Sequence, residues 1–186
     1  MRKSLLCLMI VGPALSLSSL ARADALEVGG TGLAPDCYHT AKDGRADNGA
    51  LTLCTTALAS DPLSRRDVAA TRINRAVIYL RQKAWREALV DVDGAIRIDG
   101  SLAEAHVNRG AALLGLKQWA ASTDASSRGL TLGPKEPEKA YFNRAVAKEA
   151  LGDTAGAYAD YLKAAELAPN WPAPRNELKR FTVTQR

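Results

Sequence analysis

Histidine and cysteine are scarce here: the 186 residues hold two histidines, His39 and His106, and three cysteines. Nothing repeats at zinc-ligand spacing, and only His39 lies near Cys37 and Cys54, so no metal centre is expected. Signals of catalysis are missing as well. No serine sits in a nucleophile elbow, and Gly29-Gly30-Thr31-Gly32 has no lysine after it to make a phosphate loop. The two histidines fall in different segments, and His106 occupies a packing position. Without convergent reactive groups, neither an enzyme nor a cofactor is expected. Long apolar runs are lacking beyond Leu20, so no later stretch can span a bilayer.

A large surplus of one charge is also absent once its location is considered. The formal net charge is +5, but Arg2, Lys3 and Arg22 lie in a segment with the three parts of a secretory signal. Arg2 and Lys3 form a basic start, an apolar run extends from Leu5 to Leu20, and Ala21-Arg22-Ala23 is a small-x-small cleavage pattern. Residues 1–23 are therefore expected to be a leader cut before Asp24. Removing its three cations from 25 leaves 22 against 20 acidic residues, a formal net of +2. That weakens a nucleic-acid partner. The alternative to cleavage is a retained anchor, but Gly12, Pro13 and the serines shorten the run below the ~18 to 20 apolar residues that a spanning helix needs. No stable membrane insertion is expected after cleavage, and the product is exported, to the periplasm of a bacterium or beyond it. Cys7 lacks a lipoprotein setting.

Cys37 and Cys54 remain, in an exported chain. They read as a disulfide, with two buried thiols as the alternative. Closing such a loop stabilises by about 3 kcal/mol in the chain-entropy model.

What the sequence does have is a repeat. Asn74-Arg75-Ala76 returns as Asn108-Arg109-Gly110 after 34 residues and as Asn143-Arg144-Ala145 after 35 more, and Trp85 returns as Trp119. On that frame the eighth position is Ala76, Gly110 or Ala145, the twentieth Ala88, Ser122 or Ala157, and the twenty-seventh Ala95, Gly129 or Ala164. Small side chains there let two antiparallel helices approach closely. Tyr79, Val92, Leu113 and Tyr161 fill the space around them. Gly100, Pro134 and Pro169 stand where the second helix of each pair must stop.

This pattern resembles the tetratricopeptide repeat, with small residues at the eighth, twentieth and twenty-seventh positions and proline at the thirty-second. The third repeat, with Leu151-Gly152-Asp153, Ala157, Asp160-Tyr161, Ala164 and Pro169, is nearest the family pattern. The second carries Ser122 and Ser126 in place of alanine and an aromatic, so its second helix is expected to pack less tightly. Ala50, Cys54, Ala57 and Pro62 mark a degenerate repeat upstream, whose first helix over Pro35 to Gly49 is expected to be short or irregular. Ser101 and Glu104 suggest a capping box, Pro137 a helix first turn, and Asp153 a cap.

The resemblance implies an all-α fold, a helix-turn-helix solenoid of exported bacterial type. Residues 1–23 are the leader, 24–36 a flexible arm, 37–66 the degenerate disulfide-clipped repeat, 67–170 three full repeats, and 171–186 a capping helix and tail. The cap over Trp171 to Val183 turns Leu178 and Phe181 inward and Arg175, Lys179 and Arg180 outward.

First helices line the concave face in this family, and the sixth position points into the groove. It holds Asn74, Asn108 and Asn143. An amide side chain carries a donor and an acceptor, so it can pair with a peptide unit whatever side chain that unit bears. Asparagine columns in peptide-binding members of the family grip ligand backbone in this way; the alternative is one ancestral asparagine copied with the repeat. Ile73, Val77, Val107, Ala111, Phe142 and Val146 supply an apolar floor, or else interhelical packing. The family's carboxylate clamp asks for lysine and asparagine where Ile73 and Val77 stand, and for arginine where Asn143 stands. Only Asn108 and Lys139 match it, so recognition of a terminal carboxylate is not expected. Arg75, Arg109 and Arg144 are expected to pair with acids such as Asp91 and Asp160, as surface pairs of ~0 to 1 kcal/mol.

The expected function is therefore a noncatalytic protein-protein interaction module, a scaffold or adaptor that binds an exported or envelope protein or peptide through its groove. Two other roles stay open: a self-associating subunit, which an exposed Trp119 or Trp171 would support, and an accessory to an envelope enzyme. The partner and the oligomeric state are not legible.

Overall fold

The computed structural model describes residues 5–9, 21 and 25–185. Of the expected leader, only the Leu5–Met9 backbone and Ala21 are among them; the rest, with the cleavage site, lies outside the described residues. Helices dominate. They are α1 Leu33–Lys42, α2 Asn48–Ser60, α3 Arg65–Arg81, α4 Trp85–Ile98, α5 Ala103–Gly115, α6 Trp119–Leu132, α7 Pro137–Ala150, α8 Thr154–Leu167 and α9 Pro172–Leu178. A two-stranded antiparallel ribbon pairs β1, Leu5–Met9, with β2, Phe181–Gln185. Among the described residues no helix is long and apolar enough to cross a membrane.

Each helix packs on the next, and the first helices of the repeats, α3, α5 and α7, also lie side by side. The architecture is thus an all-α solenoid of helix pairs. The small-residue positions are where the helices meet: Ala76, Ala88, Ala95, Ala145, Ala157 and Ala164 are all fully buried. Between the paired helices the chain turns through one left-handed residue per repeat, Lys83 (φ 60), Lys117 (φ 59) and Gly152 (φ 84). Each stands at the fifteenth position, so one turn geometry serves three different sequences.

The second repeat packs more closely than its serines suggest. Ser122 and Ser126 are fully buried, and the Ser122 hydroxyl donates to the Gly110 carbonyl at 2.8 Å. A Cβ on Gly110 would stand 2.4 Å from Ser126 Oγ. Glycine at the eighth position lets the serine-bearing helix move in, so α5 and α6 stay tight.

Other expectations change at the ends. The first helix of the degenerate repeat is regular: α1 starts at Leu33, which puts Pro35 in the first turn, where a missing N–H costs nothing. Asp61, just after α2, accepts from the Ala34 N–H at 2.8 Å and anchors that start. The Cys37–Cys54 disulfide joins α1 to α2, with both cysteines buried. The capping box is not formed, because Ser101 turns its hydroxyl to Asp99 (2.6 Å) and Glu104 accepts from the Lys135 N–H (3.3 Å). Pro137 does open α7, and Asp153 does cap α8 by accepting from the Gly156 N–H.

At the C-terminus the helix is shorter than expected, ending at Leu178 before extended chain from Phe181. Arg180 does not face outward. It pairs with Glu149 and Glu177, and the deeply buried Glu149 also accepts from the Tyr161 hydroxyl at 3.0 Å. Burial, reinforced by the Glu149 charge, holds that hydroxyl far above the ordinary tyrosine range. Trp119 and Trp171 are half-buried against the core around Phe142, with the Trp171 and Phe142 rings 4.9 Å apart. Neither is the exposed aromatic that a self-associating face would need.

Candidate functional site

The sixth position of each repeat sits on α3, α5 or α7, and all three asparagines there are fully buried. What covers them includes the chain itself. At Asn74 the amide is used on both sides: Oδ1 accepts from the Leu26 backbone N–H at 2.6 Å, and Nδ2 donates to the Leu26 carbonyl at 2.8 Å. A neighbouring β-strand would offer the same donor and acceptor. At Asn143, two repeats on, Nδ2 donates to the Ala21 carbonyl at 2.8 Å, while Oδ1 is buried with no hydrogen-bond partner among the described residues.

The segment expected to be a flexible arm is therefore docked. Val28 is buried against Ala34, Ala57 and Ala70, Leu26 packs on Ala69, Ile73, Ala95 and Ala105, and Ala25 on Val77 and Ile78. Its few apolar side chains all find apolar partners on the helices. Leu26 and Ala21 are five residues apart, a reach of about 17 Å when extended. Ala21 sits at the third repeat and Leu26 at the first.

The apolar residues flanking the asparagines divide into two kinds. Ile73 and Val107 sit between helices, Val107 against Ala140 and Leu130. Ala111 packs on the α4 side with Val92. Val77 lies under Ala25, and Phe142 and Val146 belong to the cluster that holds Ala21. The docked chain thus touches the clusters of Ile73, Val77, Phe142 and Val146, while Val107 serves helix packing. Lys139 is half-buried and pairs with Glu136, one turn earlier.

Charges beside the column are organised in depth. Arg75 forks onto Asp91 (2.7 and 2.8 Å) and Arg144 onto Asp160 (2.8 Å twice). The carboxylate hydrogen bonds raise both guanidinium pKa values further, against the opposing effect of burial. These are not the surface pairs expected, for Asp91 and Asp160 side chains are only 2% and 7% exposed. In the second repeat Ala125 stands where the acid would be, so Arg109 turns back to Asp93 at 2.8 Å. Of the histidines, His39 is exposed on α1 and the His106 imidazole meets the Gly100 carbonyl at 3.1 Å.

The docking of the arm is the functional feature that sequence reasoning missed. Its signal was the alternation in Ala25-Leu26-Glu27-Val28, which places Leu26 and Val28 on one side of an extended chain and the exposed Glu27 on the other.

No protein-family model matches the chain, and no curated protein does. Solved structures do. The first TPR domain of human RPAP3 is 26% identical with a TM-score of 0.57, over 61% of this chain and 89% of that one. The first TPR of Spaghetti (RPAP3), also 26% identical with a TM-score of 0.57, has been solved bound to the HSP90 peptide SRMEEVD. The TPR domain of Arabidopsis OM64 is 25% identical, TM-score 0.59, over 63% and 96%. MamA from Desulfovibrio magneticus RS-1 aligns over 78% and 79% with a TM-score of 0.63 at 14% identity, a likeness of fold alone.

Proposed function

From a chain that is a tetratricopeptide-repeat solenoid, we propose a noncatalytic interaction module that holds an extended segment of an exported or envelope protein along its row of first helices. The single observation behind this reading is the Asn74 amide, which already makes both backbone hydrogen bonds to an extended segment, the chain's own. Such a grip reads the peptide unit and tolerates many side chains. The first TPR of Spaghetti (RPAP3), solved with an HSP90 peptide, is a precedent for peptide capture on this fold. Its ligand is acidic, and the chemistry here is different. Ile73 and Val77 stand where a carboxylate clamp needs polar side chains, and Lys139 is engaged with Glu136. The preferred ligand is therefore apolar and internal to its chain rather than an acidic C-terminus. An exported, periplasmic setting follows from the leader pattern and suits the Cys37–Cys54 disulfide.

The test is recovery of partners from native envelope extract by the wild type and by a chain with Asn74, Asn108 and Asn143 each changed to alanine. Circular dichroism and a cooperative melt first establish that the variant is folded. A loss of most crosslinked partner is expected; unchanged recovery by the folded variant would remove the groove from consideration.

A further inference from the structure

Three features of the segment preceding α1 belong together: how it is held, which way its side chains face, and what it hangs from. It is held at Asn74 by the backbone pair at 2.6 and 2.8 Å. Leu26 packs against two apolar clusters, one of which holds Val28, while Glu27 between them is exposed. It hangs from Gly29-Gly30-Thr31-Gly32, all exposed, with φ of +90° at Gly30 and +121° at Gly32. A Cβ on Gly29 or Gly30 would meet nothing within 4 Å, so those glycines are not there to make room for packing. They give the chain freedom to turn. Beyond this hinge, α1 is secured without the arm, by the Asp61 contact to the Ala34 N–H and by the Cys37–Cys54 disulfide.

We propose that Ala25–Val28 is an internal ligand: it occupies in cis the place at Asn74 that a partner's extended segment takes in trans, and that segment carries two aliphatic side chains two residues apart around an outward-facing polar one. The inference rests on the peptide-binding reading above and adds to it the ligand's pattern and a competitor built into the chain. What is recognised is a backbone, the Ala25 methyl and the two aliphatic side chains of Leu26 and Val28, so a partner with the same pattern makes the same contacts. A short flexible tether presents the arm at an effective concentration on the order of millimolar, so a free segment with equal contacts competes poorly until the arm is released. If the arm is docked nine-tenths of the time, apparent affinity is reduced about tenfold.

The experiment uses the full chain and a fluorescein-labelled peptide with the sequence of residues 24–30, followed by anisotropy. Leu26→Asp frees the arm without touching the groove, and Leu26→Ala with Val28→Ala frees it in part. The peptide is expected to bind the Leu26→Asp chain at least tenfold more tightly than the wild type, with the double-alanine chain between them. Adding Asn74→Ala to Leu26→Asp should cost at least tenfold in that binding. Equal binding by wild type and both folded arm variants, or no binding by either variant, overturns the proposal. So does loss of the fold in both, for the arm would then be part of the core and not an exchangeable strap. If the freed chain ignores this peptide yet still captures envelope partners in an asparagine-dependent way, the internal ligand falls and the module stands. If the asparagines matter for neither, both fall.

Discussion

At the scale of single residues, similar ion pairs differ in worth because they differ in burial. Asp91 is almost wholly covered and meets Arg72 at 3.2 Å and Arg75 at 2.7 Å, whereas Asp93 and Arg109 are each about one-third exposed (36% and 34%). Removing one partner from a covered pair leaves a charge without compensation, at a cost of about 3 kcal/mol. An exposed pair contributes no more than about 1 kcal/mol. Urea denaturation should therefore find Asp91→Ala strongly destabilised and Asp93→Ala near wild type; equal losses would mean that burial does not govern these pairs. The turn residues make a second comparison. Lys117 holds φ 59 where the third repeat has Gly152, and an L side chain in that region carries a steric cost of about 1 kcal/mol or more. Glycine also loses more freedom on folding, which offsets part of the gain. Lys117→Gly is expected to raise stability by about 0.5 kcal/mol, seen as a higher melting temperature; a drop would show that the lysine side chain contributes more than its backbone strain costs.

At the scale of helix pairs, packing is a joint property of facing positions, and this decides what the sequence reveals. Alanine at the eighth position faces Val92 or Tyr161 at the twenty-fourth, while Gly110 faces Ser126, whose buried hydroxyl has no hydrogen-bond partner among the described residues. Gly110→Ala is expected to cost about 1 to 3 kcal/mol through overpacking. Ser126→Ala removes the clashing oxygen, so the double variant should regain most of that loss, a coupling that a double-mutant cycle reads directly. Additive effects would place the clash elsewhere. The same contrast separates legible from illegible features. Helix pairs and their stops were readable because they repeat, and the Cys37–Cys54 pairing because only two cysteines remain after the expected leader. The tightness of α5 on α6 was not, since serine at a small-residue position looks like a defect until glycine is seen across from it. The capping box failed for a related reason: Asp99 and Lys135 offer Ser101 and Glu104 other partners. Docking of the arm was hidden because its few apolar residues gain their partners only from helices far along the chain.

At the scale of the whole molecule, a solenoid is nearly one-dimensional, each repeat touching mainly its neighbours. The arm departs from that rule, since Leu26 is bound in the first repeat and the Ala21 carbonyl by Asn143 in the third, 122 residues away in sequence. The second contact depends on a residue that the expected cut before Asp24 would remove. In the uncut chain, Asn143→Ala strands a buried carbonyl at a cost of about 1 to 3 kcal/mol. In a chain beginning at Asp24 there is no Ala21 carbonyl to strand, and the Asn143 amide gains access to water. The same substitution should then change stability by less than about 0.5 kcal/mol, as for other sites without buried partners. Chemical denaturation of four proteins, the long and short chains with and without Asn143→Ala, measures the difference. A cost confined to the long chain would tie the Asn143 cost to the Ala21 contact, so that a cut before Asp24, where it occurs, would free Asn143 for a ligand. An equal cost in both lengths would mean that Asn143 supports the helices themselves, and the third repeat would lose its claim to the groove.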